Sequence, residues 1–161
     1  MPTPERFDST VERELNAGFA LFELCEDEDV ALEDAWEGND DQLRVEPGRV
    51  GVVSAAVNHF PEIALASYRS EPGPVDGRYA QVGEVEVEWR THQVELWTSN
   101  SYVGEARRLT LPASSSGRYH LRAARAFAPQ VKGDLTEYLW EHDDGVDKHG
   151  LELWRFDFWP A

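Results

Sequence analysis

The strongest constraint on the fold is a strict alternation of acidic and apolar residues near the middle of the sequence. Positions 84–89 read Glu-Val-Glu-Val-Glu-Trp. Successive side chains of a β-strand point to opposite faces, so this pattern predicts one buried face and one ladder of carboxylates, formed by Glu84, Glu86 and Glu88. Thr91-His92 has the length of a tight turn, and an apolar segment follows it. We therefore predict an antiparallel hairpin over residues 84–98.

Short apolar segments separated by turns recur along the rest of the sequence. They predict further strands at residues 18–24, 49–57, 63–68, 107–112, 118–123, 138–140 and 151–159. Helix is confined to a short predicted turn at residues 30–36. The predicted fold class is all-β, a single domain over residues 1–161. We expect an antiparallel β-sandwich of roughly eight short strands, with a closed barrel as the alternative.

Acidic residues outnumber basic residues by about two to one. The 161 residues include 31 Asp and Glu against 15 Lys and Arg, which gives a formal net charge of −16. A field of this sign repels nucleic acids and anionic membranes, and it steers basic proteins towards the molecule. We therefore expect a basic protein as partner, no direct contact with nucleic acid and no membrane association.

The acidic residues are concentrated in one stretch after the first predicted strand, and this clustering favours a dedicated surface over general solvation. The predicted partner-binding residues are Glu26, Asp27, Glu28, Asp29, Glu33, Asp34, Trp36, Glu37, Asp40 and Asp41. Trp36 either anchors the stretch to the core or contacts the partner. The alternative is that acidity is common to all proteins of the source organism, since only Lys132 and Lys148 among the fifteen basic residues are lysines.

The single cysteine and the first residues bear on the cellular compartment. Cys25 has no second thiol with which to form an internal disulfide, and residues 1–6 lack the basic and apolar regions of a signal peptide. No apolar run approaches the ~20 residues of a membrane-spanning helix. We therefore expect a cytoplasmic protein. Glu23, Glu26 and Asp27 disfavour a Cys25 thiolate, which predicts a structural rather than a nucleophilic cysteine.

Signatures of nucleophilic catalysis are weak throughout the sequence. No Gly-x-Ser-x-Gly motif occurs, and the consecutive serines Ser114, Ser115 and Ser116 lie in a predicted turn. A pair of carboxylates at the spacing used by glycoside hydrolases does not indicate that activity here. A chain with 31 acidic residues always contains some pair at a suitable spacing. We predict no catalytic residues.

The loop over residues 142–149 is the one candidate metal site in the sequence. Its imidazole and carboxylate side chains belong to His142, Asp143, Asp144, Asp147 and His149. A tight loop can bring such ligands to one ion, but their spacing matches neither an EF-hand nor a zinc motif. Polar residues with glycine are also typical of exposed loops. We expect no metal and no cofactor.

Two segments in the second half of the sequence resemble a known family. Leu109-Thr110-Leu111-Pro112 is followed by Gly117-Arg118-Tyr119-His120-Leu121-Arg122. With the preceding order of a strand at 19–22, an acidic segment containing Trp36 and a turn at 47–48 into 50–57, they resemble the competence protein J family over about residues 18–126. The resemblance implies a small acidic β-sandwich that binds and inhibits a secreted or membrane-associated DNA nuclease. It supplies no binding residues, and residues 129–161 are longer than the corresponding section of that family.

Charge and resemblance favour the same function. We predict a non-enzymatic binding protein, an inhibitor or immunity-type partner of a basic protein, with a DNA nuclease as the favoured partner. The first alternative is a β-sandwich that binds a sugar or a metal through its late aromatics and the 142–149 loop. Tryptophans in predicted strands, Trp140 among them, are however expected to be buried. The second alternative is a β-sandwich hydrolase.

Overall fold

Alternating apolar side chains assemble two β-sheets that pack face to face. A computed structural model of the protein describes residues 4–17, 20–26, 42–97, 108–142 and 145–161. Within these ranges it contains ten strands and one short helix. Each sheet has five strands, and each turns one face towards the other sheet.

The first sheet, sheet A, contains the longest strands. In spatial order its strands are β1 (Arg6–Glu12), β5 (Phe60–Tyr68), β10 (His149–Pro160), β9 (Arg118–Phe127) and β6 (Ala80–Glu88). Strands β5 and β10 run parallel, and the other neighbours run antiparallel. The central position of β10 follows from its composition, because Trp154, Phe156 and Phe158 are all fully buried.

The second sheet, sheet B, is antiparallel throughout its described strands. In spatial order these are β3 (Leu43–Glu46), β4 (Arg49–Val53), β2 (Leu21–Cys25), β7 (Gln93–Trp97) and β8 (Arg108–Thr110). Phe22 of β2 lies at the middle of the sandwich. Its ring meets those of Trp154 and Phe156 edge to face, with centroids 5.9 and 6.0 Å apart. Aromatic contacts thus join the two central strands across the core.

The predicted sandwich is confirmed, with two differences in its strands. The described residues form ten strands rather than eight, and the two separate sheets do not close into a barrel. Two observed strands, β1 and β3, were not predicted. Each is an edge strand with one described neighbour, and Arg6–Glu12 of β1 has few apolar residues. One pair, β5 and β10, is parallel, which an all-antiparallel prediction excludes.

The predicted hairpin over residues 84–98 is wrong, although its strands exist. β6 pairs with β9 in sheet A, whereas β7 pairs with β2 and β8 in sheet B. The connection between them therefore crosses from one sheet to the other. The indole of Trp89 is buried in this connection, and its Nε1 donates to the carbonyl of Gln93 at 2.8 Å. Alternation predicts which face is buried, but it carries no information about which strand is the neighbour.

The predicted strand at residues 138–140 is a helix instead. Helix α1 spans Leu135–Glu141, and Asp134 caps it by accepting a hydrogen bond from the backbone N–H of Glu137 at 3.1 Å. Asp134 and Glu137 have the spacing of a capping box, with an acidic residue at the cap and another three positions later. This local signal outweighs the strand propensity of Tyr138 and Trp140.

The described residues contain no helix with the length and apolar character needed to cross a membrane. The single-domain organisation over residues 1–161 stays a prediction.

The aromatic contacts across the core predict a large cost for truncating Phe156. We expect Phe156→Ala to lower the free energy of unfolding by about 3–5 kcal/mol, because the fully buried ring leaves a cavity between the sheets. The matched control is Val45→Ala, at a strand position that is 39% exposed, which should change it by less than about 1 kcal/mol. Urea denaturation of both variants measures the difference. Equal losses would mean that the two sheets do not depend on this ring.

Candidate functional site

Glu26 is the one predicted partner-binding residue within the described part of the chain. Its carboxylate accepts hydrogen bonds from the backbone N–H groups of Arg90 and Thr91, at 2.6 and 3.3 Å. It also lies against Gly48, whose φ is +72° and where an added Cβ would come within 2.6 Å of Glu26 Oε1. Glu26 therefore fixes the connection between β6 and β7.

The other predicted partner-binding residues lie outside the described ranges, and their role stays a prediction. They are Asp27, Glu28, Asp29, Glu33, Asp34, Trp36, Glu37, Asp40 and Asp41.

The described residues that flank this acidic stretch lie at opposite ends of strand β4. Glu26 donates its backbone N–H to the carbonyl of Gly48, just before β4 begins. Gln42 accepts a hydrogen bond from Val53, the last residue of β4, at 2.9 Å. Gln42, the first described residue after the stretch, is therefore close to Ser54, where the loop from β4 to β5 begins.

The carboxylate ladder of β6 is exposed, as predicted, but it faces basic residues. Across the β6–β9 pair, Glu84, Glu86 and Glu88 lie opposite Arg122, His120 and Arg118 respectively. Arg118 also forms an ion pair with Glu86 at 3.1 Å. Because cross-strand neighbours of opposite charge stabilise a sheet, this ladder is explained by the pairing of β6 with β9.

A buried polar cluster lies where the β4–β5 loop meets β10. Glu152 has no exposed surface, and its carboxylate accepts from Ser54 Oγ at 2.7 Å, Ala55 N at 2.8 Å and Trp154 Nε1 at 2.8 Å. The guanidinium of Arg125 lies 3.8 Å from the same carboxylate. A buried carboxylate needs such partners, because an ion moved out of water without them costs several kcal/mol.

His59 completes this cluster and is fully buried. Its Nε2 lies 2.8 Å from Ser54 Oγ and 3.9 Å from Glu152. Because the hydroxyl proton of Ser54 is donated to Glu152, Ser54 accepts from the Nε2–H of a neutral imidazole. Burial lowers the pKa of His59, and the neighbouring Glu152 carboxylate partly opposes this effect.

The three residues do not have the arrangement of a hydrolytic triad. In a triad the carboxylate orients the histidine through Nδ1, whereas Nδ1 of His59 has no hydrogen-bond partner among the described residues. Ser54 is 5% exposed and the other two are fully buried, so a substrate has no access to them. This cluster positions the backbone of the β4–β5 loop.

Helix α1 packs on that loop and forms a groove with it. Leu135 is buried in a small apolar cluster apart from the main core, and Thr136 Oγ1 donates to the carbonyl of Ala55 at 3.3 Å. The groove has a volume of about 200 Å³ and lies between Leu139 and Trp140 of the helix and residues 56–58 of the loop. Trp140 is 81% exposed. The prediction that Trp140 lies in a strand and is buried is wrong. Trp140 lies in the last turn of α1, on a side of the helix that is exposed to solvent.

The other late tryptophans provide no platform on which a sugar could stack. Trp89, Trp154 and Trp159 are 2%, 0% and 4% exposed, and Trp97 is half-buried.

The candidate metal loop over residues 142–149 forms internal contacts at its described positions. His142 stacks on Tyr138, and His149 stacks on Phe60 with ring centroids 4.4 Å apart. His149 also bridges Asp147 and Glu14, at 2.7 and 3.0 Å, which raises the pKa of its imidazole. The described residues contain no group of three or more potential ligands positioned for an ion. Asp143 and Asp144 lie outside the described ranges.

Cys25 has the structural character predicted for it. It is buried, and its thiol lies 3.4 Å from the carboxylate of Glu23. Burial and the Glu23 charge raise the pKa of this thiol far above its ordinary value, so a reactive thiolate is disfavoured.

Sequence reasoning missed both the Glu152 cluster and the groove. Ser54, His59 and Glu152 belong to no local motif, and Ser54 and Glu152 are 98 positions apart. The cap at Asp134 is the one signal that could have revealed the helix beside the groove.

The resemblance seen in the sequence is confirmed by comparison of folds. The fold is similar to that of ComJ from Bacillus subtilis, described as an inhibitor of the DNA-degrading activity of NucA. The TM-score is 0.61 at 10% identity, over 99% of this chain and 100% of ComJ. The chain is also similar to the protein of crocagin biosynthetic gene J, with a TM-score of 0.51, 14% identity, and coverage of 95% of this chain and 98% of that one. No protein-family model and no curated protein matches the sequence.

The similarity to ComJ extends further than the sequence resemblance indicates. The comparison covers 99% of this chain, whereas the sequence resemblance covers about residues 18–126. The expected difference at residues 129–161 stays a prediction.

The buried neutral His59 predicts a loss of stability in mild acid. Its pKa is lower in the folded than in the unfolded protein, so below the ordinary value of 6.5 the unfolded chain takes up a proton more readily. We expect the free energy of unfolding to fall by about 1 kcal/mol more in wild type than in His59→Gln between pH 7.5 and pH 5.5.

Urea denaturation at the two pH values measures this difference. The control is His92→Gln, which removes an exposed imidazole. Its free energy of unfolding should fall between the two pH values by as much as that of wild type. An identical loss in wild type and His59→Gln would show that His59 does not titrate on unfolding.

Proposed function

We propose that this protein is a non-enzymatic inhibitor of a DNA nuclease and acts by binding a basic surface of that enzyme in the cytoplasm. The observation that carries the proposal is the fold shared with a nuclease inhibitor over 99% of the chain. The net charge of −16 gives independent support. A nuclease binds the phosphates of DNA through basic residues, and carboxylates of an inhibitor can bind those basic residues in place of the phosphates.

The acidic stretch from Glu26 to Asp41 is the proposed contact surface. It contains nine carboxylates and no basic residue. The carboxylate of Glu26 already accepts from the N–H groups of Arg90 and Thr91, so Glu26 contributes mainly its charge. A charge density this high attracts a basic partner over a long range and so accelerates association. Salt screens this attraction over ~8–10 Å at physiological ionic strength. The residues of the stretch remain a proposal.

Inhibition of DNA cleavage tests the function directly. Candidate nucleases encoded near this gene are assayed with and without the purified protein. We expect at least one to be inhibited, inhibition to weaken as salt rises, and the protein alone to cleave no DNA. If no nuclease is inhibited, while the protein itself turns over an ester, sugar or phosphate substrate, the inhibitor proposal is wrong.

Charge reversal tests the contact surface. We expect the triple variant Asp27→Lys, Glu28→Lys and Asp29→Lys to associate with the inhibited nuclease at least about tenfold more slowly at low salt. The matched control is Glu5→Lys, Glu71→Lys and Asp76→Lys, which changes the net charge equally at exposed carboxylates outside both the stretch and the β6 ladder. Stopped-flow association rates compare the two. Equal slowing would assign the effect to net charge rather than to this surface.

A further inference from the structure

The groove beside α1 exposes apolar surface that the fold itself does not use. Trp140 is 81% exposed and Val57 is 50% exposed, on opposite sides of the groove. We propose that this groove is a docking site for an apolar side chain of the basic partner, with Trp140 as the principal contact. The inference rests on the proposed function and assigns the partner a second contact besides the acidic stretch.

Trp140 is far more exposed than the other described tryptophans. Three of them are buried and Trp97 is half-buried. An exposed indole beside a concave apolar surface is typical of an interface, because tryptophan is enriched among the residues that contribute most to protein–protein binding.

The groove is held rigidly by contacts beneath it. On the helix side, Leu135 is 2% exposed, and Thr136 donates to the carbonyl of Ala55. On the loop side, the backbone N–H of Ala55 donates to the buried carboxylate of Glu152. Binding in a site already held in place avoids the entropic cost of ordering a loop.

The charges around the groove select a basic partner. Glu137 and Glu141, three residues before and one residue after Trp140, are exposed. Neither side chain forms an ion pair with any described residue. Lys148 also lines the groove, but it already interacts within the chain. A partner with basic residues around an apolar anchor complements this arrangement.

A second copy of the chain fits the groove less well. Each copy has a net charge of −16, so two copies repel each other at the distances of an encounter. Charge complementarity therefore favours a basic protein as the occupant.

The groove lies at the same end of strand β4 as Gln42, the first described residue after the acidic stretch. Gln42 is hydrogen-bonded to Val53, and the loop that forms one side of the groove begins at the next residue.

Substitution of Trp140 tests the docking site with the nuclease inhibited by the wild-type protein. We expect Trp140→Ala to raise the dissociation constant at least about thirtyfold, mainly through faster dissociation, and to leave the melting temperature nearly unchanged because the side chain is exposed. The control is Phe7→Ala, a residue that is 36% exposed on β1 near the opposite end of β5. It should bind as wild type.

Charge reversal provides a second test that does not depend on truncation. We expect Glu137→Gln with Glu141→Lys to slow association about tenfold at low salt, because Gln keeps the capping-box position while removing its charge. Glu5→Gln with Glu71→Lys, which changes the net charge equally, should have a smaller effect. Unchanged binding in both the Trp140 and the Glu137/Glu141 variants would overturn the docking site while leaving the proposed function intact. If no nuclease is inhibited by wild type, both proposals fail together.

Self-association is measured in the same preparations by sedimentation. We expect a monomer in wild type and in Trp140→Ala. A wild-type dimer that Trp140→Ala dissociates, with nuclease inhibition unchanged, would assign the groove to a second copy of the chain and overturn the proposal.

Discussion

The buried carboxylate of Glu152 determines how one end of the sandwich is built. It lies on β10, a central strand of sheet A, at a position with no exposed surface. Its hydrogen bonds from Ser54 and Ala55 join β10 to the β4–β5 loop, and therefore join sheet A to sheet B. Removing one partner of a buried charge typically costs about 3–5 kcal/mol, so this loop is held in one conformation.

The consequences of that conformation extend to the protein surface. His59 O and Asn58 N are both hydrogen-bonded to Ala17, which fixes the segment between β1 and β2. On the other side, the carbonyl of Ala55 accepts from Thr136 and places α1. A polar group in the core thus positions an exposed helix, and the groove beside that helix is a direct result.

Sequence patterns predicted the burial of strands better than their pairing. The alternation at 84–89 gave the exposed and buried faces of β6 correctly, because it depends on the geometry of one strand. The hairpin that it implied is wrong, because β6 and β7 belong to different sheets. The neighbour of β6 is β9, which contributes Tyr119 and Leu121 from a distant part of the sequence. The Glu152 cluster could not be predicted for the same reason, as its members are brought together only by the fold.

The structure also distinguishes carboxylates used within the fold from exposed carboxylates without an ion pair among the described residues. Asp157 is buried between Arg122 and Arg155, at 2.9 and 3.2 Å, and Glu26 is bound by backbone N–H groups. The formal net charge therefore overstates the field available at any one surface. Diffuse acidity attracts every basic protein, including many that must not be bound. A rigid apolar groove beside unpaired carboxylates restricts binding to proteins that offer an apolar anchor between basic residues. In the proposed division, the charges set the rate of association, and the contact with Trp140 sets the rate of dissociation and so the choice of partner.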